Sequence, residues 1–381
     1  MDFNFSEEQT LLRNSVEKYL ADNYKYEDWR RFTRSDPGRD PKHWAAFAEL
    51  GLLAAPLPEA HGGLGGDAVS TMIVMQEFGR ALVVEPYVPS VVIAGGLIAR
   101  AGSEAQKSEW LPKIAGGQAM AAFAFAEPGG RFNLADLSTT AKRQGANYAL
   151  NGQKAVVIGA PWADRLIVTA RSAGGRRESK GVSVFLVDKA AKGVSARDYP
   201  TVDGARASEI AFENVEVPGE RLIGAADEGL ALVEQAVDEA IVAHCAEAVG
   251  AMKVLVDATV EYSKSRKQFG VPIGKFQVLQ HRMVDMFVNC EQSTSIALMA
   301  TLKLGQDETT RKLAASAAKA QIGKSGAFVG QSAVQIHGGM GMTDELNVGH
   351  YFKRLTMIDT LYGNVDHHLR RYAALDRSRA A

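Results

Sequence analysis

Apolar positions change their spacing twice along this chain. Over the first 118 or so residues they recur with helical period: Leu12, Val16 and Leu20 fall at i, i+4 and i+8, the spacing of one buried helix face. Two helix starts are marked by Ser6-Glu-Glu-Gln9 and Ser103-Glu-Ala-Gln106. In each, a hydroxyl and a carboxamide can satisfy amides that a first turn leaves without partners. Gly51 is expected to end a helix, and residues 56–67 to form a Gly-rich loop.

Between about 119 and 224 the pattern shortens to β-prone runs: Ala121-Ala-Phe-Ala-Phe125, Gln153-Lys-Ala-Val-Val-Ile158, Arg165-Leu-Ile-Val-Thr169 and Val182-Ser-Val-Phe-Leu-Val187. Asn151-Gly152, Ala173-Gly-Gly175 and Asp203-Gly204 read as turns between them. Such spacing leaves no room for crossover helices, so mostly antiparallel strands are expected. From about 225 helical period returns, over roughly 227–264, 276–305, 308–332 and 365–377. The expected fold is α+β and multidomain. It has an N-terminal all-α domain (1–118), a central antiparallel β-barrel or sandwich (119–224) and a C-terminal four-helix bundle (225–381).

Composition narrows the classes of function. With 381 residues, 46% of them hydrophobic, the chain is too long for one small core. Its 43 Lys plus Arg balance 44 Asp plus Glu, which argues against a basic nucleic-acid surface. Cys245 and Cys290 form no CxxC pair and lie in apolar helical segments, as buried thiols of a reducing compartment do. The opening Met1-Asp-Phe-Asn-Phe-Ser-Glu-Glu has neither the positive nor the apolar region of a signal peptide. No apolar run approaches the roughly 20 residues that cross a bilayer. A cytoplasmic protein with no nucleic-acid or membrane partner is expected. The eight histidines show no metal-ligand spacing, so no metal site is expected, and no Ser/His/Asp motif is present.

Two segments hold residue types suited to phosphate contacts. In Arg266-Lys-Gln-Phe-Gly270, the Arg266 guanidinium suits a dianionic pyrophosphate, Gln268 can pair with ribose or adenine edges, and Phe269 can supply an apolar wall. In Gln335-x-x-Gly-Gly-x-Gly341, Gly338 and Gly339 would let backbone N–H groups approach a phosphate without Cβ interference. A third Gly-rich run, His61-Gly-Gly-Leu-Gly-Gly66, lacks dinucleotide-fingerprint order and a preceding strand, so it reads as a structural loop.

These segments, with Tyr351-Phe-Lys-Arg354, Leu361-Tyr-Gly-Asn-Val-Asp-His-His368 and the spacing Gly250-x11-Tyr262-x3-Arg266-x-x-Phe269-Gly270, resemble the acyl-CoA dehydrogenase family. The resemblance spans essentially the whole chain. It implies FAD as cofactor, an acyl-CoA substrate and an electron-transfer flavoprotein as acceptor. It also implies that Arg266, Gln268, Phe269, Gln335, Gly338 and Gly339 reach a neighbouring subunit's FAD. The middle-domain contacts would come from Phe125, Ala126, Val156, Val157 and Ile158, and the substrate contacts from Phe132 and Tyr362.

Departures from the family pattern cluster on the chain's own flavin and acyl site. Ala126-Glu127-Pro128 stands where Thr-Glu-Pro is usual, and Val156-Val157-Ile158 where Trp-Ile-Thr/Ser is usual. Both positions that carry the family's base are vacant: one is Gly363, where the family usually reads Tyr-Glu-Gly, and the other is Ala240, followed by Ile241 in place of an Arg. Glu239 lies about 100° around the helix from Ala240 and reads as solvated or interfacial. Asp366 reads as a cap for a helix running from His367. Two readings stay open. The chain resembles the small subunit of heteromeric (pimeloyl-CoA or steroid side-chain type) dehydrogenases, which completes the FAD site of a base-bearing partner in an α2β2 assembly. Alternatively it is a self-sufficient homotetramer using Asp366 or Glu239 as base.

Overall fold

A computed structural model describes residues 5–380, so the first four residues of the opening run lie outside it. The helices α1 (Glu7–Asn23), α2 (Tyr26–Arg34), α3 (Pro41–Glu49) and α4 (Ala68–Ala81) come first, followed by a π-helical segment, Val88–Gly95, and by α5 (Gly96–Ala101) and α6 (Glu104–Ala115). Strands follow: β1 (Ala121–Ala124), β2 (Thr140–Gln144), β3 (Asn147–Ile158), β4 (Arg165–Arg171), β5 (Val182–Asp188), β6 (Val194–Pro200), β7 (Arg206–Pro218) and β8 (Leu222–Ile223). After α7 (Leu230–Ser265) a short hairpin, β9 (Lys267–Gln268) and β10 (Val271–Pro272), leads into α8 (Gln277–Lys303), α9 (Glu308–His337), α10 (Val348–Thr360) and α11 (Val365–Ala380). Among the described residues no helix is long and apolar enough to cross a membrane.

Contacts divide the chain into two compact units, one of residues 1–30, 68–83 and 241–381, the other of 31–67 and 84–240. The second unit is built on an eight-stranded sheet ordered β6-β7-β3-β2-β4-β5-β8, with β1 on β4. Its core alternates along the strands: Leu150, Val157, Leu166, Val168, Phe185, Ile210 and Phe212 are all buried. The expected strands are present, but the sheet is mixed, because β1 runs parallel to β4 and β2 meets β4 in a parallel bridge. The Asn151-Gly152 pair does not turn the chain. It lies inside β3, where the register against β7 slips between Leu150 and Gly152, and the β2–β3 turn is made by Gly145-Ala146. Cross-strand pairing of a long ribbon has overridden a local turn signal.

In the first unit α9 is the central helix, packed by α8, α10 and α11, while α4 packs on α1 and α8. Both predicted capping boxes form, at Ser6/Gln9 and, in the other unit, at Ser103/Gln106. Val16 and Leu20 are buried as their spacing requires. Helix α10 was not expected, and its presence makes the C-terminal helical region more than a four-helix bundle. Its apolar set, Val348, Tyr351, Leu355 and Ile358, follows helical spacing and is buried, but the polar residues between them and Gly349 mask the period. Helices α4 and α7 cross closely: a Cβ on Gly79 would collide with the Glu247 backbone, and one on Gly250 with the Gln76 backbone. That approach fixes where α7 presents Glu247.

Candidate functional site

The β9–β10 hairpin projects from the first unit. Arg266, Gln268 and Phe269 are all exposed. Phe269 is 91% exposed and holds φ at +53°, an outward-aimed aromatic on a strained backbone. The hairpin is closed at its base, where the Arg266 N–H donates to Tyr262 O (2.8 Å) and Arg266 O accepts from the Ile273 N–H (2.8 Å). Tyr262 then stacks on His337, with ring centroids 4.3 Å apart, and donates to its carbonyl at 3.4 Å. This contact ties the hairpin to the end of α9. There Gln335, Gly338 and Gly339 are exposed, with open space around both glycines. The two segments singled out from the sequence are therefore joined at one end of the same unit. Arg354 is not among them: it pairs with Glu247.

The middle-domain segments belong to the second unit. The Phe125 ring stacks on Phe123 (4.8 Å), and Ala126 O accepts from the Ala155 N–H (2.8 Å). Between them and β3 lies a fully buried ion pair. Lys154 Nζ donates to Glu127 Oε1 (2.7 Å), to Phe125 O (3.2 Å) and to Thr169 Oγ1 (3.3 Å), while the Glu127 carboxylate also accepts from the Ser138 and Thr139 amides. Burial alone would raise the Glu127 carboxyl, but Lys154 and these donors outweigh it and hold it at about 2. Burial draws the Lys154 ammonium down to about 8 against the pull of Glu127. The β3 bulge at Lys154/Val157 gives Val156 φ +51° and exposes it. Val157 turns into the core and Ile158 is half-buried, so of this trio Val156 presents the most exposed side chain. Phe132 is half-buried.

The two carboxylates suggested by the sequence are placed differently. Glu239 is partly exposed and ion-paired, Arg100 binding both of its oxygens (2.7 and 2.9 Å). Asp366 is exposed in the first turn of α11 and does not cap it. The cap is Asn364, whose Oδ1 accepts from the His367 N–H (3.0 Å). Ala240 and Ile241 are buried apolar residues.

The Tyr362-Gly363 segment is held from several sides within the first unit. Lys319, fully buried, donates to the carbonyls of Asp359 (2.9 Å), Leu361 (2.8 Å) and Gly363 (2.5 Å), a cationic cap on the end of α10. His368 Nε2 donates to Tyr362 O (3.2 Å). Gly363 holds φ at +121°, and a Cβ there would lie 2.5 Å from His367 Cδ2 and 2.6 Å from His368 Nε2. Imidazole therefore occupies the space into which a side chain at this position would grow. The Tyr362 ring stacks on His244, 5.9 Å and 26° apart. His244 Nδ1 meets Glu247 Oε2 at 2.8 Å, and Arg354 holds Glu247 through Nε (2.5 Å) and Nη2 (2.8 Å). Burial would raise the Glu247 carboxyl, but Arg354 and His244 outweigh it and hold it at about 2. Burial lowers His244 below its usual value despite Glu247.

Sequence reasoning missed His244, Glu247, Lys319 and the Glu127–Lys154 pair. Its available signal was the His-x-x-Glu spacing on an otherwise apolar helix. Among the described residues no group of three metal-ligating side chains converges.

Three family models match in order along the chain: the acyl-CoA dehydrogenase N-terminal domain at residues 6–118, middle domain at 122–215 and C-terminal domain at 227–374. Acyl-CoA dehydrogenase FadE12 of Mycobacterium tuberculosis is 31% identical over 353 residues, covering 90% of this chain and 89% of that one. A variant of the Tcur3481–Tcur3483 steroid acyl-CoA dehydrogenase superposes with TM-score 0.89 at 28% identity, covering 98% of this chain and 99% of the other. PigA, in its FAD complex, superposes with TM-score 0.91 at 26% identity over 100% of both chains.

Proposed function

Because this chain belongs to the acyl-CoA dehydrogenase family, we propose that it is a subunit of an FAD-dependent acyl-CoA dehydrogenase whose β9–β10 hairpin and α9 end complete the FAD site of a homologous neighbour. One observation carries the reading. Arg266, Gln268 and Phe269 are offered to solvent on a hairpin docked beside Gln335, Gly338 and Gly339, where no cradle among the described residues of their own unit encloses them. The nearly fully exposed Phe269 does not stand alone: Val278, Val284, Phe287 and Val288 are exposed on α8, the helix that follows the hairpin, and together these apolar side chains support a partner surface.

The residues fit the cofactor. Arg266 would hold the pyrophosphate, Gln268 the ribose or adenine edge and Phe269 an apolar wall. The open Gly338 and Gly339 would offer backbone N–H groups to phosphate. In the second unit Phe125, Ala126 and Val156 would make the ring-side contacts through backbone, with Glu127–Lys154 fixing their loop. Ala126 removes the hydroxyl usual in the family, and the buried side chain of Val157 takes no part. Bound FAD supplies the two-electron oxidant for forming an α,β double bond.

The subunit reading is favoured over self-sufficiency through Asp366 or Glu239, since one is an exposed first-turn residue and the other is bound by Arg100. The steroid enzyme among the structural relatives carries a paired designation and supports a heteromeric neighbour. An electron-transfer flavoprotein as acceptor, a cytoplasmic site and domain limits near 118 and 224 complete the proposal. The test is flavin content and native mass of the chain purified alone and with a base-bearing homologue, followed by anaerobic acyl-CoA addition. Gain of FAD and substrate bleaching with the homologue is the expected result. Monomers that bind neither FAD nor homologue overturn it.

A further inference from the structure

The absence of a carboxylate at Gly363 and Ala240 leaves the α-proton of an acyl thioester without its family base, yet His244 packs on the residue that precedes Gly363. His244 follows Ala240 by four residues, one turn along α7, and its ring stacks on Tyr362, the neighbour of Gly363. Glu247 fixes the ring's tautomer. A carboxylate can only accept, so Nδ1 carries the proton in the 2.8 Å contact and the lone pair of the neutral ring sits on Nε2. Arg354 grips both Glu247 oxygens, so the carboxylate cannot swing away. An oriented imidazole whose second nitrogen is a base is the acid–base half of a catalytic triad.

We infer that His244 is a general base of this subunit, taking the α-proton of an acyl thioester on Nε2, with Glu247 as its positioning residue. The inference rests on the proposed acyl-CoA dehydrogenase reading. In the step, the Cα–H bond breaks, an N–H bond forms at Nε2, and the electron pair stays on the thioester as its enolate. Imidazolium is stabilised by Glu247 and opposed by Arg354 and Lys319, the charged groups facing the ring from α10 and α9. Burial keeps the resting ring neutral, as a base must be.

The test uses the full chain assembled with a homologue whose own base has been substituted, loaded with FAD, and an acyl-CoA carrying sulfur in place of its β-carbon, which can lose an α-proton but no β-hydride. Exchange of the α-hydrogens into deuterated solvent is followed by mass spectrometry, beside thioester binding and thermal melting. His244→Gln keeps bulk and polarity without a base. It is expected to slow exchange roughly 10²- to 10⁴-fold with binding and melting retained. His244→Asn serves as the second variant, with the same expectation, should Gln disturb folding. Glu247→Gln is expected to move the pH profile of exchange to lower pH, which a merely structural role would not do. Exchange within a few-fold of the parent in His244→Gln overturns the inference, as does a parent that binds the thioester without exchanging it. A parent assembly that binds neither FAD nor thioester fails the family-level reading first, and is told apart by its empty binding isotherms.

Discussion

The ring of Tyr362 lies 5.9 Å from that of His244 and nearly parallel to it, so the connection between α10 and α11 is stacked directly on α7. The Tyr362 backbone is left-handed, at φ +58°, and Gly363 follows at +121°. Two consecutive positive-φ residues persist because Lys319 takes the carbonyls on either side and His368 takes the one between.

Restoring a side chain at position 363 is therefore costly. Gly363→Glu must place Cβ against His367 and His368 and hold an unfavourable φ. We expect a loss of about 1–3 kcal/mol in urea unfolding and no gain of dehydrogenation. Gly363→Ala should show most of the same loss. Stability equal to the parent in both would show that the two imidazoles yield freely.

Lys154→Met leaves Glu127 buried without its cation. A loss of about 3–5 kcal/mol is expected, because a broken buried pair strands a charge. The double variant Glu127→Leu with Lys154→Met should recover much of it. In both, FAD affinity should fall, since Lys154 also holds the Phe125 carbonyl. A single variant as stable as the parent would contradict the buried-pair assignment.

Acid should unfold the first unit in two stages with one sign. His368, buried against Lys319, is drawn from 6.5 to about 2, and Glu247 from 4.5 to about 2. Each folded value lies below the unfolded one, so the unfolded chain binds protons first and stability falls as pH drops. The histidine contribution is lost from pH 6.5 downward and the Glu247 contribution from 4.5 downward, both continuing to about 2. His368→Leu should flatten the first stage and Glu247→Gln the second. Urea midpoints at stepped pH check this.

Phe269→Ala should leave the melting temperature of the isolated chain unchanged, within about 0.5 kcal/mol, because the side chain is 91% exposed. It should nevertheless weaken assembly or FAD retention at limiting protein concentration. A large drop in chain stability would place Phe269 in an intramolecular contact instead.

The elements were legible where local chemistry decides them. Ser6/Gln9 and Ser103/Gln106 form their boxes, and Val16 and Leu20 bury as spaced. Legibility failed where a distant partner decides. Asn151-Gly152 has the strongest short-range turn signal, yet β7, some sixty residues away, pairs it into a strand. Glu247 looks like a surface residue of a helix until Arg354, 107 positions later, makes it a buried anion. The same holds for the site: Arg266, Gln268 and Phe269 could be picked out by residue type and spacing, whereas His244 is defined by Tyr362 and Glu247 packing on it.

The central claim is that the hairpin serves a neighbour's cofactor, and sedimentation followed at both protein and flavin absorbance tests it most directly. On dilution, FAD should leave the chain as the assembly dissociates. Arg266→Ala should keep the native mass and bind FAD roughly 10- to 100-fold more weakly, the loss of one or two charge-assisted hydrogen bonds. Monomers that keep FAD at full affinity, or an Arg266→Ala assembly with unchanged FAD affinity, would contradict the account.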